Sequence, residues 1–314
     1  MTYRLEPLHP VDQSVREIAC AQIGDLLAGR GEGKASANSV HEARKALKRL
    51  RALLSLVREG LDGGDLKRER TRIREIAASL AGARDAHVML ETARSLREGA
   101  MPRGCHVASK ALIKLLEERR AGAETQLVSS GEGRLPVEAL EEARAGLEAL
   151  PIGDLSFKDI LGGFVATYRR GRVIHKEVSQ GGAEDERYHD LRKQVQQHWR
   201  HLQLLSKAWP KAMRPQIALA HELAETLGRD HDISVLADFA RDNAGEIGAA
   251  QSLEAYLGLC AASQAELRGR AALLARRLYA DKPKAIRRRM RVWWETAAAL
   301  QRGKSASGNG KSTG

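Results

Sequence analysis

Apolar positions recur every three to four residues along most of the chain, the period of amphipathic helices and not the alternation of strands. The pattern predicts helices over Val11–Leu27, Val40–Val57 with Ser39 as its N-cap, the stretch from the Gly63–Asp65 cluster to Gly82, and, after a tight break in ARDAHVML, a new helix to about Arg97. A long helix over His106–Val128, a short one over Val137–Leu147 and another over Phe157–Val178 follow, with SSGEGRLP and Pro151–Asp154 as breaks. After the Gly181–Glu186 gap a helix begins near Tyr188, and the next ends at Gly228 in LAETLG. RDHDISVL then reads as a break before helices to Asn243, over Ala249–Tyr279, and from Pro283, which suits a first helical position.

Two of these helices share an unusual polar face. In VHEARKALKRLRALLSLV, His41, Arg44, Lys45, Lys48, Arg49 and Arg51 fall on one side and Ala43, Ala46, Leu47, Leu50, Leu53 and Leu54 on the other. In YHDLRKQVQQHWRHLQLL, His189, Arg192, Lys193, Gln196 and Arg200 oppose Leu191, Val195, Leu202 and Leu205. His41 precedes Asp85 by 44 positions and His189 precedes Asp232 by 43, with Val88 and Val235 alike beyond them, so the chain reads as an internal duplication. Two copies of one basic face imply two halves facing a shared ligand.

Composition agrees with an all-α fold: 4% of residues are aromatic and only 8 are proline. Charge adds the functional hint, since 52 Lys and Arg against 40 Asp and Glu leave +12. An excess of that size suits a polyanionic partner such as nucleic acid, an anionic membrane or a phosphate polymer, although much of it on any helical protein is solvated surface. On the first basic face only Glu42 and Glu59 offset six cations, and this crowding costs stability until an anion relieves it. Cys20, Cys105 and Cys260 are isolated and read as core residues of a reducing compartment. No run of 18 apolar residues and no leader pattern is present, so the sequence predicts a cytoplasmic protein without membrane insertion. The Gly, Ser, Lys and Asn tail, 303–314, has no apolar face and is predicted to be disordered.

Other motifs carry less. The dipeptides His189-Asp190 and His231-Asp232 fit a metal-dependent phosphohydrolase, with Asp85, His189, His231 and Asp232 as its ligands. The blander reading is that Asp85 and Asp232 cap helices, and a site crowded with Arg and Lys repels a metal ion. GNGKST lacks the second glycine of a phosphate-binding loop, because Ser305 stands in its place. Trp199, Trp209, Trp293 and Trp294 read as core residues, not base-stacking platforms.

Six pieces in order, VHEARKALKRLR, LAGARDAHVML, YRRGR, YHDLRKQV, LGRDHDISVL and RLYADKPKAIRRRM, resemble the CHAD (conserved histidine α-helical domain) family from His41 to Trp294. The resemblance implies a single domain over residues 1–302, with one half over about 10–130 and the other over about 154–302. These would be two pseudo-symmetric helical bundles around a basic central channel. It also implies binding of inorganic polyphosphate without catalysis or a cofactor, some members being associated with polyphosphate granules, and nucleic acid is not an expected partner. Residue by residue it points to His41, Arg44, Lys48 and Arg51, to His189, Arg192 and Lys193, to Arg169 and Arg172 of YRRGR, and to Lys282 and Lys284. Lys45, Arg49, Arg200 and Arg288 join them from the charge pattern. Gln196 and Trp199 stand where the family tends to be basic. Other phosphate-rich anions would also suit such a channel, and on this reading replacing Arg44 and Arg192 together removes most binding.

Overall fold

Glycine and proline end the helices largely where their spacing predicts. The computed structural model describes residues 3–28, 37–61, 63–80, 82–99, 101–130, 136–181 and 184–308, and the described residues contain helices and no strand. In order these are α1 (Val11–Ala28), α2 (Ala37–Leu56), α3 (Gly63–Ser79), α4 (Gly82–Glu98), α5 (His106–Ser130), α6 (Val137–Glu148), α7 (Phe157–Val178) and α8 (Asp185–Leu204). Then follow α9 (Pro210–Asp242), the short α10 (Ala244–Ile247), α11 (Ala250–Leu278) and α12 (Pro283–Gly308). Single 3₁₀ turns lie at Arg58–Gly60, Arg103–Cys105 and Ser206–Ala208. At the start of α7 the Asp159 carboxylate accepts from the Ser156 N–H at 3.0 Å and its hydroxyl at 2.6 Å, which holds Asp159 below the usual carboxylate range.

Besides α4, which starts at Gly82 and takes in ARDAHVML as helix and not as a break, three boundaries differ from the sequence reading. α2 already begins at Ala37, so Ser39 lies inside it and is not its cap; the Ser39 side chain falls outside the described residues. α12 continues to Gly308, so 303–308 are helical and not coil, since extending a packed helix needs one added bond per residue and no new nucleus. Residues 309–314 lie outside the described residues. The third difference is larger: α9 runs unbroken for 33 residues through Gly228 and RDHDISVL.

The reason is visible in the packing. One hydrophobic core gathers α1, α2, α3, α6, α7, α8, the first part of α9 up to Leu227, the end of α11 from Ala271, and α12. A second gathers α4, Cys105, α5, the last part of α9 from Ile233, Ile247 and α11 between Leu253 and Cys260. α9 and α11 therefore pass from one core to the other, and GRDHD is the polar stretch of α9 between them. Its polarity marks a crossing between cores and not the end of a helix. Polar contacts hold the crossing: buried Asp230 accepts from Arg268 Nε on α11 at 2.8 Å, and Arg268 reaches Asp185 at 2.6 Å and lies over the Tyr188 ring. Asp232, inside α9, caps nothing. Each core also draws on both halves of the sequence, so the cores do not separate between residues 130 and 154.

Close glycine contacts fix α7. A Cβ at Gly163 would lie 2.0 Å from the Leu56 carbonyl oxygen at the end of α2, so only glycine allows this approach. It sets the first turns of α7 against the Arg58–Gly60 turn.

Candidate anion site

The two basic helices meet near their C-terminal ends. The His201 ring on α8, fully buried, places Nε2 2.9 Å from both Ser55 Oγ and the Ala52 carbonyl on α2. Burial first, then the charges of Arg58 and Arg200, push His201 down to about 4, outweighing its bond to Ala52. The ring is therefore neutral at pH 7 and serves as a peg between the helices.

Around this peg cations face cations. Arg200, buried, has its guanidinium pKa lowered chiefly by burial; Tyr3 opposes this, and Arg49 and then Arg51 across the junction lower it further. It donates to the Gln196 carbonyl at 3.1 Å and lies 4.9 Å over the Trp199 ring. Arg70 on α3 is lowered by burial and then by Arg51, Arg58 and Arg170. Six guanidiniums thus follow one another from α2 and α8 across α3 to the Arg58 turn and α7.

A cavity lies at each end of this file. Arg49 helps line one of about 620 Å³ with Arg4, Trp199, Lys207, Arg214 and His221. Arg58 and Arg170 line one of about 630 Å³ with Arg169, Arg187 and Asp190. Arg49 and Arg58 are nine residues apart, about 13 Å at helical rise. In the first cavity Lys207 pairs with Glu6 at 3.3 Å, and Trp199 packs against His221 in a tilted arrangement with centroids 4.3 Å apart. Ring contacts and Arg200 occupy the indole, which packs half-buried against the core and is no open stacking platform. In the second, Arg187 pairs with Glu177 and Asp190.

The N-terminal parts of the same helices are tied to their neighbours. Arg44 donates to the Leu80 carbonyl at 2.9 Å, at the end of α3. Arg192, at the matching place of α8, runs past Gly228 of continuous α9; its Nε is buried without a hydrogen-bond partner, and Asp232 and Glu225 partly offset its burial. The Lys45 ammonium lies 2.8 Å from Glu42, and that of Lys193 3.2 Å from Asp190, so the first face is less uncompensated than its composition suggests. His41 is half-buried and Lys48 exposed. The His189 and His231 rings pack in a tilted arrangement with centroids 4.5 Å apart; burial followed by Arg192, His189 and Lys193 takes His231 down to about 4, and burial with Lys193 and Arg192 lowers His189.

Of the residues singled out in the sequence, the structure brings Arg49, Arg51 and Arg200 together and places Arg169 in the second cavity. Arg172 instead donates from Nε to the Tyr279 carbonyl at 3.1 Å. Lys282, Lys284 and Arg288 are exposed and line neither cavity. Arg58, Arg70, Arg187, Arg4 and Arg214 are not singled out by the sequence, whereas Arg170 is legible in YRRGR beside Arg169. Among the described residues no three His, Cys, Asp or Glu side chains converge to hold a metal, and the Asp85 side chain lies outside them.

The fold and the site define an all-α protein whose two basic helices join at a file of arginines between two cationic cavities. The sequence model of the CHAD domain matches residues 17–241, and the chain belongs to the CHAD family. Among solved structures it is similar to PptA from Streptomyces chartreusis, at a TM-score of 0.64 and 17% identity over 87% of this chain and 100% of that one. It is equally similar to the CHAD domain from the plant Ricinus communis, at 0.64 and 17% over 89% and 95%. At that identity the likeness is one of fold. No curated protein matches the chain. No helix among the described residues is long and apolar enough to cross a membrane.

Proposed function

We propose that the protein binds inorganic polyphosphate, the chain running along the arginine file between the two basic helices with an end in each cavity. The observation that carries this reading is the set of charges around Arg70 and Arg200. Arg51, Arg58 and Arg170 crowd Arg70, which is exposed, and Arg49 and Arg51 crowd the buried Arg200 beside Tyr3. Like charges held this way cost free energy that a phosphate polymer recovers through charge-assisted, forked hydrogen bonds. Membership of the CHAD family supports the same reading. The binding is non-catalytic and uses no cofactor, and it would hold the protein on polyphosphate granules in the cytoplasm.

Calorimetric titration with long-chain polyphosphate at two salt concentrations, with orthophosphate and single-stranded DNA of matched charge as comparators, tests the proposal. Binding that prefers polyphosphate, falls steeply with salt and releases no orthophosphate is the expected result. Equal affinity for DNA would make the protein a general polyanion binder, and turnover that stops with EDTA would make it a phosphohydrolase.

A further inference from the structure

The last helix presents two unlike surfaces to solvent. Ile286, Met290, Trp294 and Ala298 form the buried line of α12, and Trp294 stacks on Phe157 of α7 at 4.4 Å. At about 100° per residue, Arg291 and Arg302 fall on one flank of that line, with Arg288 beside them. Val292 and Ala299 fall opposite the buried line, and Trp293 and Leu300 on the other flank. Trp209, at the start of α9, joins this second surface. The sequence reading places Trp209 in the core, yet it is 50% exposed, and its ring meets that of Trp293 edge to face with centroids 5.2 Å apart. Val292 is 47% and Leu300 64% exposed. Trp209, Val292, Trp293 and Leu300 therefore make an apolar strip along about two turns of α12, outward from the protein.

Cations border the strip on both sides. Lys211 and Arg214 follow Trp209 and are exposed, and no acid stands between residues 205 and 221. Across α12 stand exposed Arg288 and Arg291; Glu295, the one acid between residues 283 and 302, lies 3.9 Å from Arg291. Arg289 lies over the Trp293 ring and is bonded to Asp281.

This frame of charge selects the occupant. A second copy laid on the strip would set cation against cation whichever way it turned, because both rims carry the same sign. A partner helix needs a groove, and the cavities of about 620, 630 and 790 Å³ are lined by other helices than α12. A planar anionic surface fits a ridge of this kind: its headgroups meet the rims, and tryptophan settles at headgroup level.

We propose that the strip docks the protein on an anionic phospholipid surface, with α12 in the interface plane and Trp209, Val292 and Leu300 entering the headgroup boundary. Attachment is peripheral, since no helix among the described residues is long and apolar enough to cross a membrane. It uses none of the arginines between α2 and α8, and so leaves polyphosphate binding in place.

The test is flotation of the purified full chain with phosphatidylcholine vesicles, with and without phosphatidylglycerol, beside a polyphosphate titration and circular dichroism. Wild type is expected to float with the anionic vesicles and not with the neutral ones. Trp209→Ser/Val292→Ser/Leu300→Ser, three exposed positions, weakens flotation at least roughly tenfold. Its helical content is unchanged and its polyphosphate affinity stays within about twofold of wild type. Lys211→Ala/Arg291→Ala, one cation from each rim, weakens flotation about fivefold per residue at low salt and less at high salt. A triple variant that floats as wild type does would mean that the arginine file holds the vesicles, and overturns the inference. So does a wild type that floats with neither vesicle, whether it stays monomeric, self-associates through the strip or binds only an acidic amphipathic peptide. If the triple variant loses helix, unchanged flotation of the Lys211 and Arg291 variant overturns it instead.

Discussion

α2 and α8 carry the same pattern 148 residues apart, yet the structure uses the two differently. Where Arg44 reaches out from α2, α3 has ended and the Leu80 carbonyl accepts its proton. Where Arg192 reaches out from α8, α9 continues and its Nε has no hydrogen-bond partner. The Glu42–Lys45 and Asp190–Lys193 pairs are alike in the two. At the other end of each helix the two faces merge into one site, with Arg49 and Arg51 from α2 and Arg200 from α8. Identical motifs thus stitch helices at their N-terminal ends and collect charge where they meet. Motif membership alone does not say which role a residue has.

The asymmetry can be tested by acid first, because α8 has three histidines, His189, His198 and His201, and α2 only His41. Burial, with His201 as a further charge, takes His198 down to about 3, while His201 and, on α9, His231 fall to about 4. With folded values below the 6.5 of an exposed imidazole, the unfolded chain binds more protons, so stability is lost as pH falls from about 6.5 towards 4. Urea unfolding at pH 7 and pH 5 should show a clear drop in midpoint, and equal midpoints would mean these rings are not buried as neutral species.

Next in size is the peg. His201→Ala removes the ring's contacts with Ser55 Oγ and the Ala52 carbonyl, which keep their own hydrogen bond at 3.0 Å, and opens a cavity, for a loss of about 3 kcal/mol with polyphosphate affinity reduced alongside. A variant as stable as wild type would detach the junction from this ring. A smaller effect separates the two stitches: Arg44→Leu loses a charged hydrogen bond and about 1.5 kcal/mol, whereas Arg192→Leu, which removes a buried and incompletely bonded cation, is near neutral. Equal losses in urea unfolding would make the stitches equivalent. Smallest is Gly228→Ala, predicted to stabilise by about 0.5 kcal/mol, since Gly228 is inside a continuous helix and its nearest neighbour, Arg192 Nε, would stand 3.9 Å from the new Cβ. A lower melting temperature would argue for a break at this point.

The helical class, most helix ends and both basic faces were legible because they depend on period and on local caps. The crossing of α9 at GRDHD was not: a polar run reads as a turn unless one knows that apolar cores lie on both sides of it. The meeting of Arg58, Arg70 and Arg170 was hidden for a similar reason, since they come from three different elements and meet only when Gly163 lets α7 approach the end of α2. Arg172 was misjudged in the opposite sense, its charge being legible in YRRGR and its bond to the Tyr279 carbonyl depending on a residue 107 positions away. The Glu42–Lys45 pair, by contrast, could have been read from its spacing alone.

In the function proposed above, the meeting point of α2 and α8, and not their N-terminal ends, grips the anion. The most direct test is one polyphosphate titration of two double variants, Arg51→Ala/Arg200→Ala and Arg44→Ala/Arg192→Ala, with helical content followed by circular dichroism. The account predicts that the first loses affinity on the order of a hundredfold with its helices intact, and the second less than roughly tenfold. The reverse order, with the Arg44 and Arg192 pair carrying most of the binding, would contradict it.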